Sequence, residues 1–249
     1  MEKNYFTFAN IGQFEEVIHG ISTRMYGDMR FGKADPNIIV KNREGFFDEL
    51  KIDISDVVVP SLAHGIKVAN VTSKEKGMGA KDPGSAIPET DGLITSERGV
   101  YLMTTAADCL PILFYDPVAK ITGVIHAGWR GIASKIVERA VERLQSYGSD
   151  PQNLFVGIGP GICQRHFVVR SDVLPMFLGS YPKATFLRNN DGYIDLKRAA
   201  EIDLEKMKVS KRNIEISRYC PVCDNALFGS FRKEGESVPA FAAVIGIKP

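Results

Sequence analysis

The chain has 249 residues, 44% hydrophobic and 24% charged, enough for a sizeable core in one large domain or two small ones. Lys and Arg total 31 against 30 Asp and Glu, a formal charge of +1. No basic surplus argues for binding to nucleic acid or a membrane surface.

The opening MEKNYFTFANIGQFEEVIHG carries acidic residues and no long apolar run, and no stretch of the chain reads as a bilayer span. The expected location is the cytoplasm. There the four cysteines, Cys109, Cys163, Cys220 and Cys223, are reduced and free for metal binding or catalysis.

Residues 1–35 predict two strands and a loop, ending in a polar stretch over 26–36. Residues 37–52 place Ile39, Val40, Phe46, Phe47 and Leu50 at helical spacing and predict an amphipathic helix. A short apolar run at 57–60 leads to Ala63-His64-Gly65, and 66–71 reads as a strand. Residues 72–90 (TSKEKGMGAKDPGSAIPET) are rich in Lys, Gly, Pro and Ser and predict an exposed, mobile loop. Order returns at Asp91-Gly92-Leu93-Ile94-Thr95, followed by a strand over 99–105.

Residues 104–131 organise the chain. Apolar, β-branched runs at 110–115 and 121–125 flank Asp116-Pro117-Val118-Ala119-Lys120 and predict a buried hairpin. Such a hairpin brings the residue before its first strand near the residue after its second, which makes Cys109 and His126 spatial neighbours. Ile132, Ile136, Val137, Ala140, Val141 and Leu144 form one stripe, predicting a helix over 132–147 with Gly148 as its stop. A strand at 154–156 enters a Gly-rich turn at 157–161. A second helix is expected over 196–207 with Asp195 as N-cap, and late strands at 214–217 and 241–247. No repeat or linker divides the chain, so residues 1–249 are expected to form a single domain. Strands and helices interleave without strict βαβ alternation, which predicts an α+β fold with mixed β-sheets flanked by helices in layers.

There are four histidines: His19, His64, His126 and His166. Taken singly, His64 is an ordinary polar residue at a strand end and Cys109 a small buried hydrophobe. Taken together, His64, Cys109 and His126 make a His₂Cys set. With an open fourth position that set suits catalytic zinc, and it also resembles the ligands of a blue-copper site. A thiolate beside an imidazole equally suits a nucleophile–base pair. A trinuclear copper cluster needs more imidazoles than His19 and His166 can add, which excludes a true multicopper oxidase.

Gly128-Trp129-Arg130-Gly131 leads into a helix, where an anion can be held. Arg43, Arg130 and Arg232 are the candidates for anion recognition, although an isolated Arg is usually solvated. Arg130 is the strongest, four residues after His126 and between two glycines. Cys220-Pro221-Val222-Cys223 is a C-x-x-C, the pattern of half a zinc site or of a redox pair; the second Cys pair of a closed site is missing, so a separate Cys₄ site is not expected, and Cys223 reads as an unremarkable thiol. The H-x-E part of the zinc deaminase signature is absent. Residues 157–161 are no dinucleotide fingerprint, because Pro160 interrupts them, but they can bring backbone amides to a ligand.

Several motifs occur in a fixed order: Gly20–Arg24 (GISTR), Asn42-Arg43, His64-Gly65, residues 90–95 (TDGLIT), Ala107-Asp108-Cys109-Leu110-Pro111, His126-Ala127-Gly128-Trp129-Arg130-Gly131, Gly159-Pro160-Gly161-Ile162, Cys220 and Ser230-Phe231-Arg232. In these the chain resembles, over nearly its whole length, the YfiH/laccase-domain family. Its members were once called multicopper polyphenol oxidases and are now regarded as purine nucleoside phosphorylases. The resemblance implies Zn2+ held by His64, Cys109 and His126, with Cu2+ as the alternative ion. It implies phosphorolysis of adenosine, inosine, guanosine and S-methyl-5′-thioadenosine, with some adenosine deamination.

On that reading Cys109, Asp108 and Arg130 are catalytic, Asp108 by orienting a ligand or the backbone, and Arg43, Arg130 and Arg232 bind phosphate and substrate. The expected partners are purine nucleosides and phosphate, with no nucleic acid or membrane, in a monomer or small homo-oligomer. The chain departs from the family pattern at Leu62, where Gln is usual, and at Phe167-Val168, where Tyr-Glu is usual. Lys233 replaces an Arg, and a Gly-Arg is lost near Val238-Pro239. The alternatives are a copper-dependent polyphenol oxidase, a zinc-stabilised binding module closed by Cys163 or Cys220, and a cysteine hydrolase using Cys109 and His126.

Overall fold

The structure is a computed structural model that describes residues 4–32, 34–170, 172–189 and 191–249. The strands in its first half are β1 (Tyr5–Phe6), β2 (Val17–Ser22), β3 (Val57–Val58), β4 (Val68–Asn70), β5 (Gly92–Thr95), β6 (Tyr101–Ala106), β7 (Leu110–Asp116) and β8 (Ile121–Ala127). Those in the second half are β9 (Phe155–Ile158), β10 (Val168–Val169), β11 (Thr185–Arg188), β12 (Asp191–Ile194), β13 (Ile214–Ile216) and β14 (Phe241–Ile247). The helices are α1 (Ala9–Gly12), α2 (Pro36–Leu50), α3 (Trp129–Ala133), α4 (Ile136–Gln145), α5 (Leu174–Ser180), α6 (Leu196–Lys206) and α7 (Phe231–Glu234).

The fold is α+β. One mixed sheet has the order β1-β2-β14-β6-β3, a second has β13-β9-β7-β8-β5-β4, and a small antiparallel sheet has β10-β12-β11. Strand residues alternate between faces, and this sorts the core into layers. Leu113, Tyr115 and Val124 of the second sheet pack on Leu102, Ala243 and Ile245 of the first. Ile112, Phe114 and Ile125 face the other way, onto Val137, Ala140 and Val141 of α4 and Ala200 and Leu204 of α6. On the far side of the first sheet, Met103, Ala242 and Val244 meet Phe46, Phe47 and Leu50 of α2. The central strands are therefore covered on both faces, which is why their sequences are continuously apolar rather than alternating. Each such side chain contributes about 1.5–3 kcal/mol by leaving water.

Local chemistry fixes the ends. Asp35 accepts from the Asn37 amide and Pro36 opens α2, while Asp195 accepts from the Arg198 amide to start α6. The β7–β8 hairpin pairs Pro111 with His126 and Leu110 with Ala127, so Cys109 lies just beyond the paired end, close to His126.

Four expectations change. The first segment holds its two strands, but the one-turn helix α1 lies between them. The helix expected over 132–147 is two helices, broken where Lys135 takes a φ of 73°. Lys135 Nζ donates to Tyr181 Oη at 2.9 Å and pairs with Asp203 at 3.1 Å, and these half-buried bonds help offset a left-handed backbone worth about 1–3 kcal/mol of strain. Residues 72–90, expected to be exposed and mobile, are tied to the first sheet's edge. The Gly77 amide donates to Val57 O, the Val59 amide donates to Met78 O, and Ala80 is buried. The Gly-rich turn spends its amides within the protein: Gly159 N donates to Pro111 O and Ile162 N to Asp108 O. Its glycines admit close packing instead, since a Cβ on Gly161 would lie 2.2 Å from Leu110 Cδ2.

Asp116 closes the hairpin. It is fully buried and accepts from the Val118, Ala119 and Asp150 amides and from Ser149 Oγ. Asp116→Ala leaves those donors unpaired, and the expected loss is about 2–4 kcal/mol of stability, read from the urea denaturation midpoint. A loss below about 0.5 kcal/mol, the range of surface substitutions, would show that the turn does not depend on this carboxylate.

Candidate metal centre and its pocket

Two loops and the end of strand β8 supply the trio. His64 has a φ of 58° in the loop before β4. Asp91, just before β5, holds that loop: its carboxylate accepts from the amides of Ala63 at 3.2 Å, His64 at 2.9 Å and Gly65 at 2.7 Å. The same carboxylate lies 3.1 Å from His126 Nδ1, and the Asp91 carbonyl accepts from the His126 amide at 2.7 Å. The Nδ1 bond leaves Nε2 of His126 as the ligand atom, the arrangement in which an outer carboxylate orients a metal-binding imidazole.

Cys109 follows Asp108, whose φ of 93° is unusual for any residue but Gly. Asp108 is held there from the far end of the chain. Its carboxylate accepts from Ser230 Oγ at 2.8 Å and from the Arg232 amide at 2.7 Å. Burial lifts the Asp108 carboxyl above the usual range despite those bonds. Gly128 completes the approach, because a Cβ there would lie 2.9 Å from Cys109 Sγ and 3.5 Å from His64 Cδ2.

The His64 and His126 rings meet edge-on with centroids 4.8 Å apart. One donor atom from each of His64, Cys109 and His126 lies within 4.8 Å of the others, so the residues fit a single metal ion. Burial alone would raise the Cys109 thiol, but the neighbouring His126 and His64 rings outweigh it and bring it down to about 6. Burial would lower His126, yet the Cys109 thiolate and Asp91 push it up to about 9. The same partners act on Asp91: burial pushes it up, but His126 and the loop amides bring it below the usual carboxylate range. The pocket thus favours the thiolate, which is the form that binds metal.

All seven residues singled out in the sequence line one cavity of about 740 Å³: His64, Asp108, Cys109, His126, Arg43, Arg130 and Arg232. Phe31, Trp129, Phe167 and Phe231 share its walls, with Leu62 and Arg30. The three arginines sit differently. Arg130 is exposed, stacks 4.3 Å over the Trp129 ring, and has no protein acceptor among the described residues. Arg232 donates through Nη1 to His166 O and keeps its other donors. Arg43 is 2% exposed and gives four hydrogen bonds to the carbonyls of Met29, Gly79 and Ala80. Of the five donors a guanidinium has, one is left for a ligand, and burial lowers its pKa to about 10.

Sequence reasoning missed Asp91, Ser230 and Arg30. Asp91 had a signal, an Asp-Gly placed directly before a strand, with no room for a Cβ on Gly92 between Ile125 and Val68. It also placed Cys223 as an unremarkable thiol. In the structure Cys163, His166, Cys220 and Cys223 form a second Cys/His group able to hold a metal. Cys163 and Cys220 are thereby drawn away from the trio, and no fourth His, Cys, Asp or Glu joins His64, Cys109 and His126 among the described residues. His19 accepts from the Phe8 amide and His166 lies in the second group, so neither imidazole adds to the trio.

Fold and site together define a layered α+β protein with a Cys/His trio, able to hold a metal, on the wall of an arginine-bearing cavity. The chain belongs to the laccase-domain family: the family profile described as "Multi-copper polyphenol oxidoreductase laccase" matches residues 13–248. It is 31% identical over 249 residues to the purine nucleoside phosphorylase YlmD of Geobacillus stearothermophilus, covering 94% of this chain and 91% of that one. The crystal structure of YlmD from that organism superposes with a TM-score of 0.94 at 28% identity, covering 100% of this chain and 98% of the other. The purine nucleoside phosphorylase YlmD of Bacillus subtilis is 29% identical over 248 residues, 98% of this chain and 87% of that one. Adenosine deaminase RL5, from an unknown prokaryotic organism, is 31% identical over 196 residues, 75% of this chain and 73% of that one. No helix among the described residues is long and apolar enough to cross a membrane.

Because Asp91 holds both the His64 loop and the His126 ring, Asp91→Ala is expected to weaken zinc binding at the trio by about 100-fold, the upper end for an outer partner. Competition of the purified protein against a chromogenic chelator measures this. Unchanged affinity would show that the trio is shaped without Asp91.

Proposed function

We propose that the chain is a zinc-dependent purine nucleoside phosphorylase acting on adenosine, inosine, guanosine and S-methyl-5′-thioadenosine, with adenosine deamination as a side activity. The observation that carries this reading is the trio's position. His64, Cys109 and His126 supply three protein ligands and leave a fourth position, as catalytic zinc sites do, on a cavity that also holds Arg130, Arg232 and four aromatic rings. The names of the relatives support the same substrate class. The reading takes residues 1–249 as one catalytic unit, since ligands from residue 64 to residue 232 share one cavity. It needs no nucleic acid or membrane, and it fits a cytoplasmic monomer or small homo-oligomer.

In phosphorolysis, phosphate attacks the ribose carbon that bears the base while the glycosidic bond breaks. The sugar gains oxocarbenium character and the departing purine gains negative charge, so the site must hold an anion on one side and a leaving base on the other. Arg130 takes the phosphate, because its fork matches phosphate oxygens and no protein acceptor competes for it among the described residues. Arg232 adds a second cation on the cavity wall. Arg43, first expected to bind phosphate, is assigned to holding residues 79–80 and Met29 in place through its four carbonyl bonds. Trp129 and Phe231 offer the purine flat apolar faces. Asp108 acts through the backbone, by fixing the turn that presents Cys109. When bound, zinc supplies a Lewis acid for phosphate or an activated water for deamination.

A second reading rests on the Cys109–His126 pair. The lowered thiol and raised imidazole are also those of a nucleophile and its base. That reading requires an electrophile to label Cys109 covalently while zinc is bound. Copper at the same trio would give slow phenol oxidation, and a purely structural role would give a zinc protein without turnover.

The test is incubation of zinc-loaded protein with adenosine, inosine and S-methyl-5′-thioadenosine, with and without phosphate, followed by product separation. Free base and the sugar 1-phosphate are expected, and only with phosphate. Base release at the same rate without phosphate would make the reaction hydrolysis. Arg130→Ala is expected to keep its zinc and lose on the order of 100-fold in phosphate-dependent kcat/KM, whereas Cys109→Ala and His126→Ala lose the metal itself. Normal turnover of Arg130→Ala at low phosphate would show that the phosphate lies elsewhere.

A further inference from the structure

Away from the trio, two short motifs meet. Cys163-Gln164-Arg165-His166 precedes β10, and Cys220-Pro221-Val222-Cys223 follows β13. Each is a pair of ligands separated by two residues, the spacing at which one turn presents two donors to one ion. Cys163 Sγ lies 4.0 Å from Cys223 Sγ. His166 Nδ1 lies 3.3 Å from Cys163 Sγ, 3.5 Å from Cys223 Sγ and 3.8 Å from Cys220 Sγ.

These separations have a simple geometric meaning. Zinc at its usual Zn–S and Zn–N lengths in a tetrahedron places sulfurs about 3.8 Å apart and sulfur from nitrogen about 3.5 Å apart. These four separations are close to the edge lengths of a zinc tetrahedron, and all four donor atoms lie within 4.8 Å of one another. A disulfide needs sulfurs at about 2.05 Å, and all four cysteines are free.

Hydrogen-bond donors reach two of these sulfurs. The Cys163 amide donates to Cys220 Sγ at 3.3 Å, which steadies negative charge on sulfur. Arg165 reaches Cys223 Sγ at 3.7 Å. The second motif is anchored independently of any ion: the Cys220 amide donates to Asp224 Oδ2 at 2.8 Å, and Lys197 Nζ donates to the Ser217 and Tyr219 carbonyls at 2.7 Å each.

We propose that Cys163, His166, Cys220 and Cys223 form a second, closed Cys₃His zinc site with a structural role. It has four protein ligands and no open position, whereas the trio has three. It joins the segment before β10 to the turn after β13, beside the bond from the Gly161 amide to Tyr219 O. It also reaches the cavity wall without facing the cavity. His166 O accepts from Arg232 Nη1 at 2.6 Å, and the Ile162 amide beside Cys163 donates to Asp108 O. An ion there fixes the Ile162–Phe167 wall and the arginine resting on it.

The proposal is independent of the reaction at the trio, and its test reads metal rather than turnover. The full chain is expressed with zinc in the medium, purified without a metal-affinity column, and its zinc counted by mass spectrometry. Wild type is expected to hold two ions per chain and Cys223→Ser one. His64→Ala, which spares the second group, is also expected to hold one. Cobalt exchanged into His64→Ala should give intense thiolate-to-cobalt charge-transfer bands with tetrahedral visible absorption, both lost in His64→Ala/Cys223→Ser. Near-native far-ultraviolet dichroism in Cys223→Ser keeps the comparison meaningful, and Cys163→Ser provides an independent ligand deletion. A single zinc in wild type that Cys223→Ser leaves in place would overturn the proposal. So would a Cys163–Cys223 disulfide with no second zinc in protein prepared under reducing conditions.

Discussion

A buried carboxylate needs its charge answered on every side, and Asp91 meets that need in a way that shapes the whole site. It is 1% exposed, and stripping water from a carboxylate without hydrogen bonds costs several kcal/mol. The three successive amides of residues 63–65 and the His126 ring supply those bonds. Two of the three side chains of the trio are thus placed by one residue. The β5–β8 pairing, with Gly92 opposite Ile125, puts Asp91 beside His126 in the first place. Gly92 permits that pairing because no side chain fits between Val68 and Ile125.

Asp108 does the corresponding work for Cys109. Its positive φ directs the turn into β7, and Ser230 and the Arg232 amide, from the last helix, hold it there. The two carboxylates together tie the segments around residues 64, 91, 108, 126 and 230 into one frame. Arg43 plays the complementary part elsewhere in the cavity lining, a buried cation satisfied by carbonyls.

Much of this was legible in the residues. The β7–β8 hairpin followed from two apolar runs around an Asp-Pro turn, and its register placed Cys109 near His126. The apolar stripe of α4 was also readable, because every residue of it is buried. What stayed hidden depends on contacts distant in sequence. The break at Lys135 is set by Tyr181 and Asp203. The order in residues 72–90 comes from the edge of the first sheet and from Arg43, not from local propensity. The Cys163–His166 and Cys220–Cys223 pairs each carried ligand spacing, but most of the second half of the fold separates them, and only the topology brings them together. Asp91 was visible as a turn signal, while its bond to His126 required knowing that β5 pairs with β8.

The account turns on the trio holding a metal with one position open to the cavity. Anomalous diffraction at the zinc edge, from crystals of the zinc-loaded protein, tests that most directly. The predicted result is a peak bonded to Cys109 Sγ, His126 Nε2 and a His64 ring nitrogen, at about 2.0–2.3 Å from each, with the fourth position taken by solvent or phosphate from the cavity side. No peak at the trio, or a fourth protein ligand closing the ion off from the cavity, would contradict it.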